Sequence, residues 1–446
     1  MTEPFRRVPA RWAVLPVAFS RPACWARFRH AQTRAQQAGR LNGARLAWAG
    51  VVLLILATSA RAAGWRGDGS GLYPQAAPPT QWDSDEGKNI LWKAEIGKGQ
   101  SSPVAAGERI FITAEPALLL ALDLKTGKCL WQKENGYASL PPGTQVPARP
   151  PPTVPGCGYA TPTPVTDGKF VYASFGTGVV ACYDLEGNRR WIRHLDLPQA
   201  SEFGRAASPI LAGGKLLVSI GGLEALDPAT GDLVWQAPEA KPTFATPAVA
   251  RIGDADVAIT PNGDCVRVSD GKLLARKLFA STYTTPVVGA GVVYCVGPPA
   301  VAVKLPAKAA DGFQPEKLWQ FGDLEGEFFA SPVLLEGLLY GAGNDGTFYV
   351  LDAATGKLVY KKELPLRSAG GKPGTEPANL YPSLTLAGKH LLVGNDEGET
   401  LVLAPGREYK EVARCILDKG SGASPAPDGK VLLLRAGKRL YSIGEK

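Results

Sequence analysis

The residues with cation chemistry in their spacing are two oxygen-rich clusters, Asn344-Asp345-Gly346 and Asn395-Asp396. Each places side-chain oxygens side by side, as a hard cation such as calcium requires. Both also sit between apolar runs, where turn chemistry selects Asn, Asp and Gly, and the turn reading is the one favoured. Beyond residue 62 only His194 and His390 remain, distant from one another and from any cysteine at ligand spacing, so zinc is not expected. No Gly-x-Ser-x-Gly elbow is present, and the two histidines form no recognisable triad. A carboxylate pair for glycoside hydrolysis has no motif in its support. Once Cys24 is set aside, the cysteines are Cys129, Cys157, Cys182, Cys265, Cys295 and Cys415, none in a Cys-x-x-Cys pair. Disulfide pairing and burial as small hydrophobes both fit them. No catalytic or metal-ligating residue is therefore assigned, and no cofactor-binding residue is named.

The elements that must position any site are repeats. Residues 225–235, Ala-Leu-Asp-Pro-Ala-Thr-Gly-Asp-Leu-Val-Trp, recur in near copies at 121–131, 181–191 and 350–360. Each copy reads as a strand, a turn in which Asp bonds backbone N–H groups and Gly takes positive φ, and a second strand carrying an aromatic. In all four the aromatic lies four residues after the turn glycine, which fixes its face and points to packing between repeats.

A second marker is a residue followed by proline at the start of an apolar strand: Ser102-Pro103, Thr163-Pro164, Ser208-Pro209, Thr246-Pro247, Thr285-Pro286, Ser331-Pro332, Tyr381-Pro382 and Ser424-Pro425. These eight prolines stand 38 to 61 residues apart, room for one four-stranded sheet each. Proline cannot donate to a ladder and suits a strand start at the inner edge of a propeller blade. The fold expected is all-β, an eight-bladed propeller of four-stranded antiparallel blades over residues 89–446. Blades four, five and seven are degenerate: Ala275 replaces the aromatic, residues 305–315 are inserted before Trp319, and Gly406 has no aromatic at its offset.

The last Pro-marked unit has sequence for three strands only, whereas residues 89–96 supply one strand with Trp92 and no hairpin before it. That strand is expected to complete the last blade and close the ring, removing two exposed edges. Residues 63–88 read as a loop-rich lead-in, and deletion of residues 65–79 should be far milder than deletion of residues 89–96. Long connections at 136–159 and 363–381 should both emerge on the face where outer strands lead to the next inner strands.

Residues 46–60 form an apolar run between Arg45 and Arg61, followed by Ala60-Arg61-Ala62, which reads as a secretory signal cleaved after Ala62 within a leader of residues 1–62. Retained, it would be a membrane anchor, though fifteen apolar residues are short for a span. That leader holds ten Arg and one acidic residue, which leaves 39 basic and 40 acidic side chains in the rest. The folded part is thus neutral, and nucleic acid is not an expected partner.

Ala-Leu-Asp-x-x-Thr-Gly-x-x-x-Trp, as at 121–131 and 225–235, resembles the pyrroloquinoline-quinone-type propeller repeat, over roughly residues 89–446. The lead-in Trp65-Arg66-Gly67, with Trp82 and Trp92, resembles secreted bacterial propellers of that group. The resemblance implies one of two functions, a quinoprotein dehydrogenase or a scaffold like the propeller lipoprotein of the outer-membrane barrel assembly machine. A dehydrogenase would carry pyrroloquinoline quinone with calcium, a vicinal disulfide and a Glu, Asn and Asp calcium set. This sequence has no Cys-Cys, and no such set is matched residue by residue. The expectation is an exported, periplasmic or extracellular, non-enzymatic binding or assembly scaffold, monomeric and without cofactor. Its partner would be an unidentified protein or envelope component, met through the loop-decorated face, with membrane contact only if residues 46–60 are retained. A quinone- or metal-dependent oxidoreductase is the alternative.

Overall fold

The computed structural model describes residues 63–153, 157–195, 204–366 and 379–446; the apolar run at 46–60 lies outside them. Among the described residues the strands form eight antiparallel blades, and each Pro-marked unit supplies its blade from the inside outward. Blade one runs Val104–Ala106, Arg109–Ala114, Leu118–Asp123, Cys129–Glu134, and blade three Ile210–Ala212, Lys215–Ser219, Leu223–Leu226, Leu233–Ala237. The two middle strands of each blade are buried on both faces between neighbouring blades, while outer strands such as Cys129–Glu134 are largely exposed. Sequence shows this as continuous apolar runs inside and mixed composition outside.

Every outer strand carries a register irregularity just before the aromatic position, for instance between the pairs Ala121–Trp131 and Leu122–Cys129, which skip Leu130. A bulge re-aims the next side chain, and here it turns the ring onto the following blade. Trp131 lies on Gly187 and donates its indole N–H to the Leu185 carbonyl at 2.9 Å. Trp191 does the same to Gly231 and Pro228, and Trp319 to Gly356 and Ala353, each at 2.9 Å. Gly231 has φ +75°, and a Cβ there would stand 2.5 Å from the Trp191 ring. Strain at positive φ and overpacking both oppose a side chain, so Gly231→Ala should cost about 2–4 kcal/mol in denaturant unfolding. A change within experimental error would remove the docking role assigned to this turn.

Of the degenerate blades, five keeps this dock through Trp319, whereas four and seven lose it and are filled differently. Ala275 occupies the aromatic position of blade four, opposite Cys265, and Ala413 that of blade seven, opposite Val402. Between blades seven and eight the filler is Trp82 of the lead-in, 2 % exposed and packed with Cys415, Leu432 and Tyr441. Backbone bonds between Trp82–Ser84 and Ile416 fix it there.

Blade eight takes three strands from the C-terminal end, Ala426–Asp428, Val431–Ala436 and Arg439–Ile443, and its outer strand, Ile90–Glu95, from the other. The latter pairs antiparallel with Arg439–Ile443 from Ile90–Ile443 to Glu95–Arg439, and Trp92 docks on Gly127 of blade one. Arg435, 3 % exposed, crosses the same junction and donates to the carbonyls of Gly97, Ser101 and Thr113. Its burial lowers its pKa to about 10.

The lead-in corrects one sequence expectation. Its residues enter the channel from the face opposite the inner-strand starts: Ala63 bridges Thr166, Leu72–Tyr73 adds a parallel fifth strand inside blade seven, and Ala77 donates to the Gly429 carbonyl. Arg66, 2 % exposed, reaches the carbonyls of Pro332 and Leu384 at 2.7 and 2.9 Å. A buried guanidinium held at the inner-strand starts of two blades acts as a structural plug, so the lead-in is packed rather than loose and its deletion is expected to expose the channel wall.

All six cysteines beyond residue 62 are free thiols. Burial pushes Cys182, Cys265, Cys295 and Cys415 up to about 12, which leaves them protonated at neutral pH. A thiol titration should find Cys129 and Cys157 reactive in the native protein and these four only after unfolding; fast labelling of the four would contradict their burial.

A candidate binding cavity at the open channel mouth

The residue before each marker proline builds the neck of the channel. Around it backbone N–H groups donate to the hydroxyl of the next blade: Ser102 to Thr163, Thr163 to Ser208 and Ser208 to Thr246, at 2.9–3.0 Å. Thr285 then links back through its own hydroxyl to the Thr246 carbonyl at 2.7 Å. The circuit continues Thr285 to Ser331, Ser331 to Ser383, Ser383 to Ser424 and Ser424 to Ser102, at 2.9–3.1 Å. In blade seven the member is Ser383, followed by Leu384 in place of proline. The Tyr381-Pro382 marker is therefore out of register by two residues, and the blade count is unaffected. Ser and Thr suit this place because a short hydroxyl satisfies the backbone donor of its neighbour where no strand does.

Above the ring lies a cavity of about 1520 Å³ that all eight hydroxyl residues line. Trp65 of the plug also lines it. Its rim is set by the position two residues before each ring member, and the eight residues there divide into halves. Blades four to seven present Phe244, Tyr283, Phe329 and Tyr381; blades eight, one, two and three present Gly422, Gln100, Thr161 and Ala206. The aromatic half is continuous. Phe244 and Tyr283 stack at 5.5 Å and 12°, Tyr283 meets Phe329 edge-on at 4.7 Å, and Phe329 meets Tyr381 at 5.1 Å. None of these rings is buried, and Tyr381 is 41 % exposed.

The opposite wall is ionic. Arg439 joins Glu95 and Asp418, each at 2.6 Å, and Lys98, Lys419 and Lys438 stand beside them. Glu115 accepts from the backbone N–H groups of Tyr159 and Ala160 at 3.0 and 2.7 Å, which ties the end of the 136–159 connection to the rim. Near the end of the 363–381 connection, the N–H and side chain of Asn379 bond Asp396, and Asn344 donates to the Asn379 side chain at 2.9 Å. Residues 154–156 and 367–378 of these connections lie outside the described residues.

The oxygen clusters singled out in the sequence thus serve the backbone. Asp345 accepts from Thr347, and Asn395 from the N–H groups of Glu397 and Glu399. Asn344 and Asp396 latch a loop base, a role the sequence did not disclose. His194 and His390 lie in blades two and seven, His194 edge-on to Tyr137 at 5.5 Å. Among the described residues no three His, Cys, Asp or Glu side chains converge as metal ligands. Of the rim carboxylates, Glu95 and Asp418 are engaged by Arg439, and Glu115 and Asp396 by backbone N–H groups. The residues present do not fit a calcium-held quinone, and no step is derived through one.

Comparison with known proteins agrees with this architecture. The family model described as outer membrane protein assembly factor BamB matches residues 83–303. The outer membrane protein assembly factor BamB of Yersinia pestis is 23 % identical over 298 residues, 64 % of this chain and 69 % of that protein. The serine/threonine-protein kinase AfsK of Streptomyces griseus is 28 % identical over 287 residues, 62 % of this chain but only 32 % of the kinase, so the match spans about a third of it. Among solved structures, BamB from Moraxella catarrhalis superposes with TM-score 0.56 at 14 % identity, covering 80 % of this chain and 97 % of that one. A europium-containing methanol dehydrogenase superposes with TM-score 0.55 at 13 % identity, covering 83 % and 89 %. At such identities these structures speak to fold alone.

Proposed function

We propose that this chain, an eight-bladed β-propeller whose repeats resemble the pyrroloquinoline-quinone type, is an exported binding and assembly scaffold without catalytic chemistry. The observation that carries the reading is the cavity of about 1520 Å³ above the hydroxyl ring, rimmed on one side by four aromatic residues. Its open mouth lies on the face where both long connections arrive, with Tyr159 and Tyr381 from their ends in its lining. Loops on a rigid scaffold around a concave, partly apolar mouth are the usual place for recognition. Similarity to proteins named outer membrane assembly factors supports a protein partner in the cell envelope. The apolar run at 46–60, bounded by arginines, supports export.

Two measurements test the reading. Ala206→Trp places a bulky ring at the rim, on the side away from the aromatic arc. It should abolish co-purification of the envelope partner that the native protein retains, with an unchanged melting curve; undiminished co-purification would move the interface elsewhere. Addition of pyrroloquinoline quinone and calcium should leave no bound chromophore. A retained chromophore with alcohol- or sugar-dependent dye reduction would overturn the non-enzymatic reading.

A further inference from the structure

We infer that the open cavity is a binding site for a neutral oligosaccharide, seated with its sugar faces on the Phe244–Tyr283–Phe329–Tyr381 arc and its hydroxyls toward the polar wall. The inference rests on the binding reading above and goes beyond it, adding to the protein partner met at the mouth a smaller ligand held inside the cavity.

Four contiguous rings left partly in water are an unusual concentration of exposed apolar surface, and such patches mark binding sites. They come from equivalent positions of four consecutive blades, so the arc follows the curvature of the mouth. The facing half is polar: it holds Gln100, whose side-chain oxygen accepts from the Gly422 N–H at 2.7 Å, Thr161, whose hydroxyl donates to the Cys157 carbonyl at 2.6 Å, and the Glu95–Arg439–Asp418 cluster. A ligand that satisfies both halves has an apolar face and a dense set of hydroxyls on its edges. Pyranose rings have that construction: axial C–H groups form the face, and equatorial hydroxyls both donate and accept.

Size and charge narrow the class. At about 1520 Å³ the cavity exceeds the roughly 300–1,000 Å³ typical of small-molecule pockets, which favours several sugar units over one. Five carboxylates and four cationic side chains line it, so the lining has no field that would select a polyanion or polycation. A peptide fits less well. Extended peptides gain affinity by adding to a free strand edge, and Phe244, Tyr283, Phe329 and Tyr381 lie outside the strands. The inner edge of blade seven is in addition already paired with Leu72–Tyr73.

The test is calorimetric titration of the protein with a panel of neutral oligosaccharides of four to six units (α- and β-linked glucans, mannans and N-acetylglucosamine oligomers), alongside a random peptide library. At least one neutral oligosaccharide should bind saturably and quench the fluorescence of Trp65 on the cavity floor. Phe329→Ala and Tyr381→Ala should each weaken it about tenfold, a difference of about 1.4 kcal/mol. Phe329→Tyr should retain binding, and melting temperatures confirm that the variants fold. Absence of binding across the panel at millimolar concentration, binding indifferent to both ring deletions, or peptides competing for the same rings would overturn the inference. Its failure is separable from failure of the scaffold reading, because envelope-protein capture blocked by Ala206→Trp stands without any sugar.

Discussion

Removal of residues 89–96 is expected to abolish the cooperative folding of the whole propeller rather than to trim one edge. Those residues supply the outer strand of blade eight in register with Arg439–Ile443, the Trp92 ring on Gly127, and Ile96, which is 4 % exposed in the core shared by blades eight and one. The truncated chain would leave the Arg439–Ile443 edge unpaired and uncover apolar faces on two blades. The loss is comparable to the about 5–15 kcal/mol that stabilises an ordinary domain. Thermal unfolding should become broad or vanish into aggregation. Replacing the exposed residues 145–150 by a Gly-Ser linker is the matched control and should leave the melting curve in place. A soluble monomeric deletion variant with an unchanged transition would show that the ring is held without this strand.

The second large effect is at Trp235. Its ring is 9 % exposed, lies against Gly271, and donates its indole N–H to the Val268 carbonyl at 2.9 Å. Trp235→Ala removes a large buried ring from between blades three and four and should cost about 3–5 kcal/mol in denaturant unfolding. Trp235→Phe keeps most of the contact and forfeits the hydrogen bond, for about 1 kcal/mol. Gly271→Ala should also destabilise, because the new Cβ would sit 2.7 Å from the ring and φ is +74°. In the Trp235→Ala background the steric part of that cost disappears and only the backbone part persists. Additivity of the two substitutions, or a loss below about 1 kcal/mol for Trp235→Ala, would mean that the ring does not dock on this turn.

Repeat architecture was legible in the sequence because it is written many times over. Asp-x-x-Thr-Gly turns and prolines at strand starts are local chemistry, and their recurrence multiplies a weak signal. The structure shows what that chemistry does: the Asp123 carboxylate takes the Thr126 N–H and hydroxyl, which holds its pKa below the usual carboxylate range, and the turn presents Gly127 to Trp92. What the sequence hid was contact made across long separations. Trp82 fills a gap between blades that its own position does not announce. Arg66 reads as a loop residue, although it is buried among carbonyls of residues 332 and 384.

The cavity was partly legible, and the signal lay beside a marker already noticed. The hydroxyl before proline reads as turn chemistry until its partner on the next blade is seen, 38 to 61 residues away for most members of the ring. Phe244, Tyr283, Phe329 and Tyr381 each stand two residues before such a hydroxyl. Aligning on proline alone placed Tyr381 as a marker and concealed the series; aligning on Ser383 restores it. Functional assignment went no further from sequence because shape and exposure, rather than a catalytic motif, make this site.

Face-specific photo-cross-linking in the intact envelope tests the account most directly. A photoreactive residue is placed at Tyr381, on the rim, or at Lys125, in an exposed turn on the opposite face. The account predicts discrete, reproducible protein adducts from position 381, none from position 125, and loss of the adducts when Ala206→Trp is added. Equal adducts from both faces, or adducts from position 125 alone, would contradict the assignment of the open cavity mouth as the binding face.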